Sequence, residues 1–336
     1  MDRIAYNETL EMIFNDLEHS SFHVNFNTPP IIFICGGSMI KIGSSLREAI
    51  FRYFASNDNS NIHDHLLAAE NFKDYFKNGA YRDLMDFEDD IASISTLIII
   101  CLESAGSLVE LGLFCNKPEL KNRLLVFVPA EEVEAKPEED IEAYSSFIYL
   151  GPLQSLKHAN DSAVMIYPWP SPNSLKYEHI DLIAQDIENK LETVRKVDSF
   201  SEVNSGHLAF LIHDIIKLCE PIKLSEIELV LISLIIDCPV RKLTRLLYLL
   251  EKTNFIAPYE YSGSTYYYVK NEKLSKIKYG KSKSGKIFDF PNAKMQVRKS
   301  FAPIFPGDEI KGRFDDEISK KRYNALKRIN AIREAQ

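Results

Sequence analysis

No apolar run in this sequence is long enough to cross a membrane. The longest, Leu97–Leu102 and Leu229–Ile236, fall far short of the roughly 20 residues that a span needs. No membrane partner is expected. Met1–Asp16 scatters acids among its apolar residues and lacks the apolar stretch of a secretory leader, so a soluble cytoplasmic protein is expected. Cysteine is sparse. The five residues Cys35, Cys101, Cys115, Cys219 and Cys238 show no CxxC spacing, and most sit in apolar runs. They read as buried thiols in a reducing compartment, not as a disulfide framework. The eight histidines do not gather at metal-ligand spacing, so no metal is expected. Walker A, GxGxxG, HExxH and GxSxG patterns are all missing, which removes the usual carriers of phosphoryl transfer, dinucleotide redox chemistry and zinc hydrolysis. No cofactor is expected.

What is present is an ordinary apolar fraction of 45% over 336 residues, enough for two domains and a tail. Charge is uneven. From Val240 onward there are 22 basic and 10 acidic residues, an excess of +12; with a net charge of −8, the first 239 residues carry −20. Any nucleic-acid contact is therefore expected at the rear.

Ile31-Ile32-Phe33-Ile34-Cys35, stopped by Gly36-Gly37, has the pattern of a strand buried on both faces. His65–Ala69, Leu97–Leu102, Leu124–Val128 and Ala163–Ile166 repeat it, with helical spacing over Leu46–Phe54, Tyr81–Ser95 and Ser107–Cys115. The alternation predicts an α/β fold with a doubly wound parallel sheet. Pro168–Pro172 punctuates its end, and an amphipathic helix over Tyr177–Val197 leads to a linker at Ser199–Gly206. A different pattern comes next. His207–Cys219, Leu224–Ile236 and Arg241–Thr253 are predicted helices, and Phe255–Val269 folds back at Ser262-Gly263 as a hairpin. Three helices and a hairpin predict a mainly α winged-helix domain. Lys276–Lys286 reads as flexible and Asp315–Ala335 as a terminal helix. The expected domains are residues 1–197, 198–275 and a basic tail, 276–336.

Open α/β sheets bind ligands beyond the carboxyl ends of their strands. Three such ends carry polar or glycine residues: Gly36-Gly37-Ser38, Glu70-Asn71 and Glu103-Ser104-Ala105-Gly106-Ser107. Gly36 and Gly37 admit two readings, close approach of a ligand or a plain tight turn. Ser104, Gly106 and Ser107 stand between a buried strand and a helix start, where N–H groups can hold a phosphate or a ribose oxygen. Glu110, one turn into that helix, points back to the same end. With Glu103 it forms a carboxylate pair, one for the anomeric carbon and one for hydroxyls or protons. A structural reading of Glu110 competes, because Ser107-Leu108-Val109-Glu110 also fits a capping box.

At the rear, Val240, Leu243, Leu246, Leu247 and Leu250 form the core stripe of a recognition helix. Arg241, Lys242 and Arg245 fall off it. Tyr266, Tyr267, Tyr268 and Lys270 would form the wing, suited to stacking and phosphate contact; protein contact is the other reading.

Phe33–Gly37, Glu70-Asn71-Phe72, Ser146–Pro152 and above all Glu103-Ser104-Ala105-Gly106-Ser107-Leu108-Val109-Glu110-Leu111-Gly112 resemble effector proteins of bacterial retrons. That family joins a nucleoside deoxyribosyltransferase-like domain to a winged-helix DNA-binding domain. The resemblance implies Glu110 as the catalytic glutamate, with Glu103 beside it and Gly36, Gly37, Ser38, Arg47, Glu70, Glu88, Ser104, Gly106 and Ser107 shaping the substrate site. Arg47 would meet a phosphate. Ala105 and Ala69 replace prolines common in the family. The implied substrate is NAD+ or a nucleotide, cut at the ribose–base bond. The implied partners are a reverse transcriptase and its RNA–DNA hybrid (msDNA) in a larger assembly that holds the toxin. The rival class is a nucleotide-sensing winged-helix regulator without catalysis.

Overall fold

The computed structural model describes residues 5–56, 62–72, 80–132, 149–170, 176–303 and 316–335. The chain divides into two compact units, Pro29–Lys196 and Met1–Thr28 with Val197–Gln336. Elements are numbered along the chain, so α1 (Tyr6–Asn15) and β1 (His23–Asn25) belong to the second unit.

The Pro29–Lys196 unit is a five-stranded parallel sheet of β2 (Ile32–Cys35), β3 (Leu66–Leu67), β4 (Leu97–Cys101), β5 (Leu124–Pro129) and β6 (Val164–Tyr167), in the order β3-β2-β4-β5-β6. β2, β4 and β5 are continuous apolar runs, buried along their whole length, because both faces are covered. Ile32, Ile34, Ile99, Cys101, Leu125 and Phe127 pack with Leu46, Ala49, Ile50 and Phe54 of α2 (Leu46–Ser56). Ile183, Ala184 and Ile187 join the same cluster from a later helix over Ile180–Thr193. Phe33 turns the other way and meets Phe114 of α4 (Ala105–Cys115) edge-on, centroids 6.4 Å apart. α3 (Leu84–Ile94), α5 (Pro118–Lys121), α6 (Gln154–Ala159) and α7, the Ile180–Thr193 helix, complete the unit. From β2 the chain goes to β3 on one side, then crosses to β4 on the other. That reversal is the position where open α/β sheets hold their ligands.

Several elements are shorter than their patterns. The second strand keeps only Leu66–Leu67, and α3 starts at Leu84 because the Asp83 carboxylate accepts from Asp86 N–H at 2.8 Å. The helix expected to reach Val197 stops at Thr193, and β7 (Val197–Ser199) comes after it.

In the second unit, β1 pairs antiparallel with β7 on one side and with β10 (Ile277–Lys278) on the other. Three helices come after β7: α8 (Ser205–Cys219), α9 (Leu224–Ser233) and α10 (Val240–Lys252). The hairpin β8 (Ile256–Tyr261) and β9 (Ser264–Val269) turns on Ser262 and Gly263, both at positive φ, 51° and 75°. β9 also bridges Ile222 through both backbone bonds of Tyr267, at 2.7 and 3.2 Å. α11 (Phe290–Phe301) and α12 (Glu317–Glu334) close the unit.

Two expectations are corrected here. Residues 5–28 pack with the rear: the Tyr6 hydroxyl donates to Cys219 C=O at 2.6 Å. Residues 276–303 are no loose tail. The buried Asp214 carboxylate accepts from Ser275 Oγ (2.6 Å), Lys276 N–H (3.0 Å) and Ile277 N–H (2.9 Å), which pins β10. The terminal helices are equally tied. Buried Glu220 meets Arg333 at 2.5 Å and Arg298 at 3.3 Å; buried Arg322 pairs with Glu226 and covers the Tyr6 ring at 3.6 Å. Part of the rear's positive charge is therefore neutralised internally.

Candidate active site

Glu103 comes just after β4, and its carboxylate is spent on backbone. It accepts from Gly37 N–H at 2.7 Å, Leu46 N–H at 2.6 Å and Arg47 N–H at 3.2 Å. It thus caps the start of α2 and ties it to the turn after β2. Burial raises its pKa, and these N–H groups pull it back down. Both oxygens of the Glu103 carboxylate, expected to share in the chemistry, already hold three backbone donors. Gly36 and Gly37 make this clamp possible. A Cβ on Gly36 would stand 2.7 Å from Glu103 Oε1, and one on Gly37 would stand 2.9 Å from Ser45 Cβ. Their space is filled by the protein's own side chains. Ser38 joins the same turn, its C=O accepting from Ser44 Oγ (2.6 Å) and Ser45 Oγ (2.8 Å).

The cap of α4 is also not the expected one. Ser104 is the N-cap: its Oγ accepts from Ser107 N–H at 3.1 Å, while Ser107 Oγ accepts from Ser104 N–H at 3.1 Å. The capping box is closed by two serines, one turn earlier than Ser107–Glu110. Glu110 is left out of it. Its Oε2 is buried and has no hydrogen-bond partner among the described residues. Burial, then the neighbouring charge of Glu88, raises its pKa to about 7; Arg47 and a hydrogen bond from Cys35 work against the rise. The Cys35 thiol was not singled out in the sequence, since a cysteine ending an apolar strand carries no signal of its neighbours in space.

Arg47, in the first turn of α2, is 4% exposed and grips Glu70 with two bonds, 3.1 and 2.5 Å. Its Nε is buried without a partner among the described residues. Glu88 of α3 is buried, its pKa raised by burial and by Glu70. The end of the sheet thus gathers Cys35, Arg47, Glu70, Glu88 and Glu110 into one electrostatic cluster. Gly106 lies exposed at the start of α4, where an added Cβ would meet only Ser104 Oγ, at 3.7 Å. A separate cavity of about 370 Å³ lies on the flank of α2, lined by Tyr53, Arg52, Lys176 and Tyr177, and none of the carboxylates faces it. The resemblance segment Ser146–Ile148 lies outside the described residues.

At the rear, Arg241 is exposed, and Lys242 and Arg245 are half-buried. Tyr266 and Tyr268 turn inward, under Arg322 and Arg333, so of the three tyrosines only Tyr267 lies on the other face of β9. Lys270 Nζ donates to Asn254 Oδ1. Val240, expected in the core stripe, is 47% exposed.

The sequence model of the family described as "STM3845 retron effector protein" matches residues 43–258. The chain belongs to this retron effector family. Two Escherichia coli proteins are similar to this retron effector. One, named "Retron Ec73 putative ribosyltransferase/DNA-binding protein", is 26% identical over 217 residues, covering 60% of this chain and 65% of its own length. The other, "Retron Ec86 putative ribosyltransferase/DNA-binding protein", is 26% identical over 197 residues, 59% and 58%. This retron effector thus spans less than two thirds of either relative. The family match takes in Arg47, Glu70, Glu88, Glu103 and Glu110, and runs through α8–α10 into β8; Gly36, Gly37 and Ser38 precede it.

Proposed function

We propose that the Pro29–Lys196 unit of this retron effector cleaves or transfers at the N-glycosidic bond of a nucleotide, NAD+ included, with Glu110 facing the anomeric carbon. One observation carries the reading: Glu110 holds a buried oxygen with no partner among the described residues, at the strand ends, while the serines beside it close their own cap. A fold seldom keeps a carboxylate oxygen buried and unmatched without use for it. The names of the two relatives, which contain "ribosyltransferase", support the same chemistry.

In this reading the bond between C1′ and the base nitrogen breaks, and its electron pair leaves with the base. Ionised Glu110 stabilises the oxocarbenium-like carbon or attacks it, and water or another acceptor completes the transfer. Arg47, held by Glu70, offers its unmatched Nε to a phosphate or hydroxyl oxygen. Burial, with Glu88 beside it, keeps the Glu110 pKa near neutrality. Glu103, Gly36, Gly37 and Ser38 set the start of α2, and with it Arg47. Ser104, Ser107 and Gly106 shape the opening of α4. No cofactor is called for.

The second unit would contact nucleic acid as a winged helix, through Arg241, Lys242 and Arg245 on α10 and Tyr267 and Lys270 on the hairpin. The bridge of Ile222 to Tyr267, which adds a third strand position to the hairpin, supports that arrangement. At the level of the cell, the enzyme would be a toxin of antiviral defence, held by a reverse transcriptase and its RNA–DNA hybrid.

The test is incubation of the purified chain with NAD+, nucleoside monophosphates and nucleosides, with free base monitored by chromatography. Base release from at least one is expected. Binding of a nucleotide with no release from any would instead make the unit a sensor.

A further inference from the structure

We infer that the corner between α9 and α10 is an aliphatic wedge that enters duplex DNA at an unstacked base step. The inference rests on the nucleic-acid reading of the second unit and adds the kind of DNA it takes.

The corner breaks a rule of helix ends. α9 closes in a Schellman motif: Ile236 N–H donates to Leu231 C=O and Ile235 N–H to Ile232 C=O, both at 2.9 Å. The residue in the left-handed position is Ile235, φ 59°. Glycine usually fills that position, since a Cβ there crowds the next carbonyl. A β-branched side chain is poorly suited to it. No packing compensates, because Ile235 is 76% exposed. Ile232 is 65% exposed and Val240, which opens α10, is 47% exposed. Leu231, Leu234 and Ile236, interleaved with them, are all buried. The fold had the means to hide these side chains and leaves three aliphatics in water at one turn. A local rule broken without return in packing marks a surface kept for a ligand.

The neighbours say which ligand. Arg241 sits directly after Val240 and is exposed; Lys242 and Arg245 are half-exposed, and Asp237 is the exposed anion on the same turn. The three cations suit a polyanion. The aliphatics have nothing to gain from phosphates, but they have a place between bases, where isoleucine and similar side chains serve as wedges. Opening an intact stack costs a few kcal/mol per step, and a mismatch or nick has already met much of that cost. The ligand is therefore duplex DNA with a step already loosened.

The experiment titrates the full chain, at several salt concentrations, with two short labelled duplexes of one sequence, one intact and one with a central mismatch. Wild type should bind the mismatched duplex roughly tenfold or more tighter. Ile235→Gly and Ile232→Ser should each bring the two affinities close together and leave the salt slope unchanged. Ile235→Gly should not lower the melting temperature, since glycine accepts the left-handed position. Equal wild-type affinities would overturn the wedge and leave the nucleic-acid reading standing. Binding of neither duplex at low salt would overturn both. Retained discrimination in both variants, or a melting temperature lowered in Ile235→Gly, would show the corner to be structural or protein-facing.

Discussion

Gly36 and Glu103 occupy one space: a single methyl group on Gly36 would lie 2.7 Å from the Glu103 carboxylate that clamps Gly37, Leu46 and Arg47. Gly36→Ala should therefore destabilise the chain by about 1–3 kcal/mol through overpacking. Glu103→Gln should cost a similar amount, because an amide turns a donor toward N–H groups that need an acceptor. Gly106→Val is the contrast. Its Cβ would meet only Ser104 Oγ, at an ordinary 3.7 Å, so the fold should hold while nucleotide binding weakens. Urea unfolding and calorimetric titration of the three variants check this, and a Gly36→Ala protein as stable as wild type would remove the clamp.

The pH dependence comes from the carboxylate cluster. If ionised Glu110 does the chemistry, base release should rise with pH through about 7. Glu88 raises that pKa and Arg47 lowers it, so Glu88→Gln should move the rise to lower pH and Arg47→Met to higher pH. Stability runs the opposite way. A carboxyl whose pKa is raised by folding contributes stability below its unfolded pKa, and loses it as pH rises through the folded value. Glu110→Gln should therefore gain stability over wild type at pH 8 and show little gain at pH 4. Melting curves at both values, with pH–rate profiles of the two neighbours, test the signs.

In the second unit, Arg322 is buried between Glu226 and the Tyr6 ring. Arg322→Ala should cost about 3–5 kcal/mol, because Glu226 would be left buried without its cation. Removal of exposed Lys320 should cost almost nothing. A chain that loses α12 and keeps its stability would show the terminal helix to be an appendage.

Three of the parallel strands, β2, β4 and β5, were legible because a strand covered on both faces is apolar at every position, and each of them is buried throughout. Glu110 carried two readings in the sequence, a carboxylate at the strand ends and a capping-box residue, with the local pattern favouring the cap. Only the fold shows that Ser104 and Ser107 close the box between themselves. The Glu103 clamp was hidden because its partners, Gly37 and Leu46, lie more than fifty residues away in sequence. The β10-β1-β7 sheet was hidden for the same reason: strands of two or three residues, drawn from the two ends and the middle of the chain, carry too little pattern to announce their pairing. Val240 was placed in the core by its helical spacing, but as the first residue of α10 it is 47% exposed.

If Arg241, Lys242 and Arg245 meet phosphates, the triple alanine variant should bind DNA more weakly, with the slope of log affinity against log salt falling by roughly 0.7–0.9 for each phosphate no longer neutralised. Base release should be unaffected, since these residues lie outside the Pro29–Lys196 unit. Titrations across a salt series measure the slope, and an unchanged slope would move nucleic-acid contact off α10.

Glu110→Gln keeps the shape of the side chain and removes the charge, so it isolates the chemistry assigned to the unmatched oxygen. The decisive measurement is single-turnover release of base from NAD+ or the nucleotide that wild type cleaves, made on both proteins at pH 8. Glu110→Gln should bind the nucleotide, melt no lower than wild type, and release base slower by roughly a thousandfold or more. Release at the wild-type rate would contradict the assignment of Glu110 and, with it, the glycosidic mechanism built on that residue.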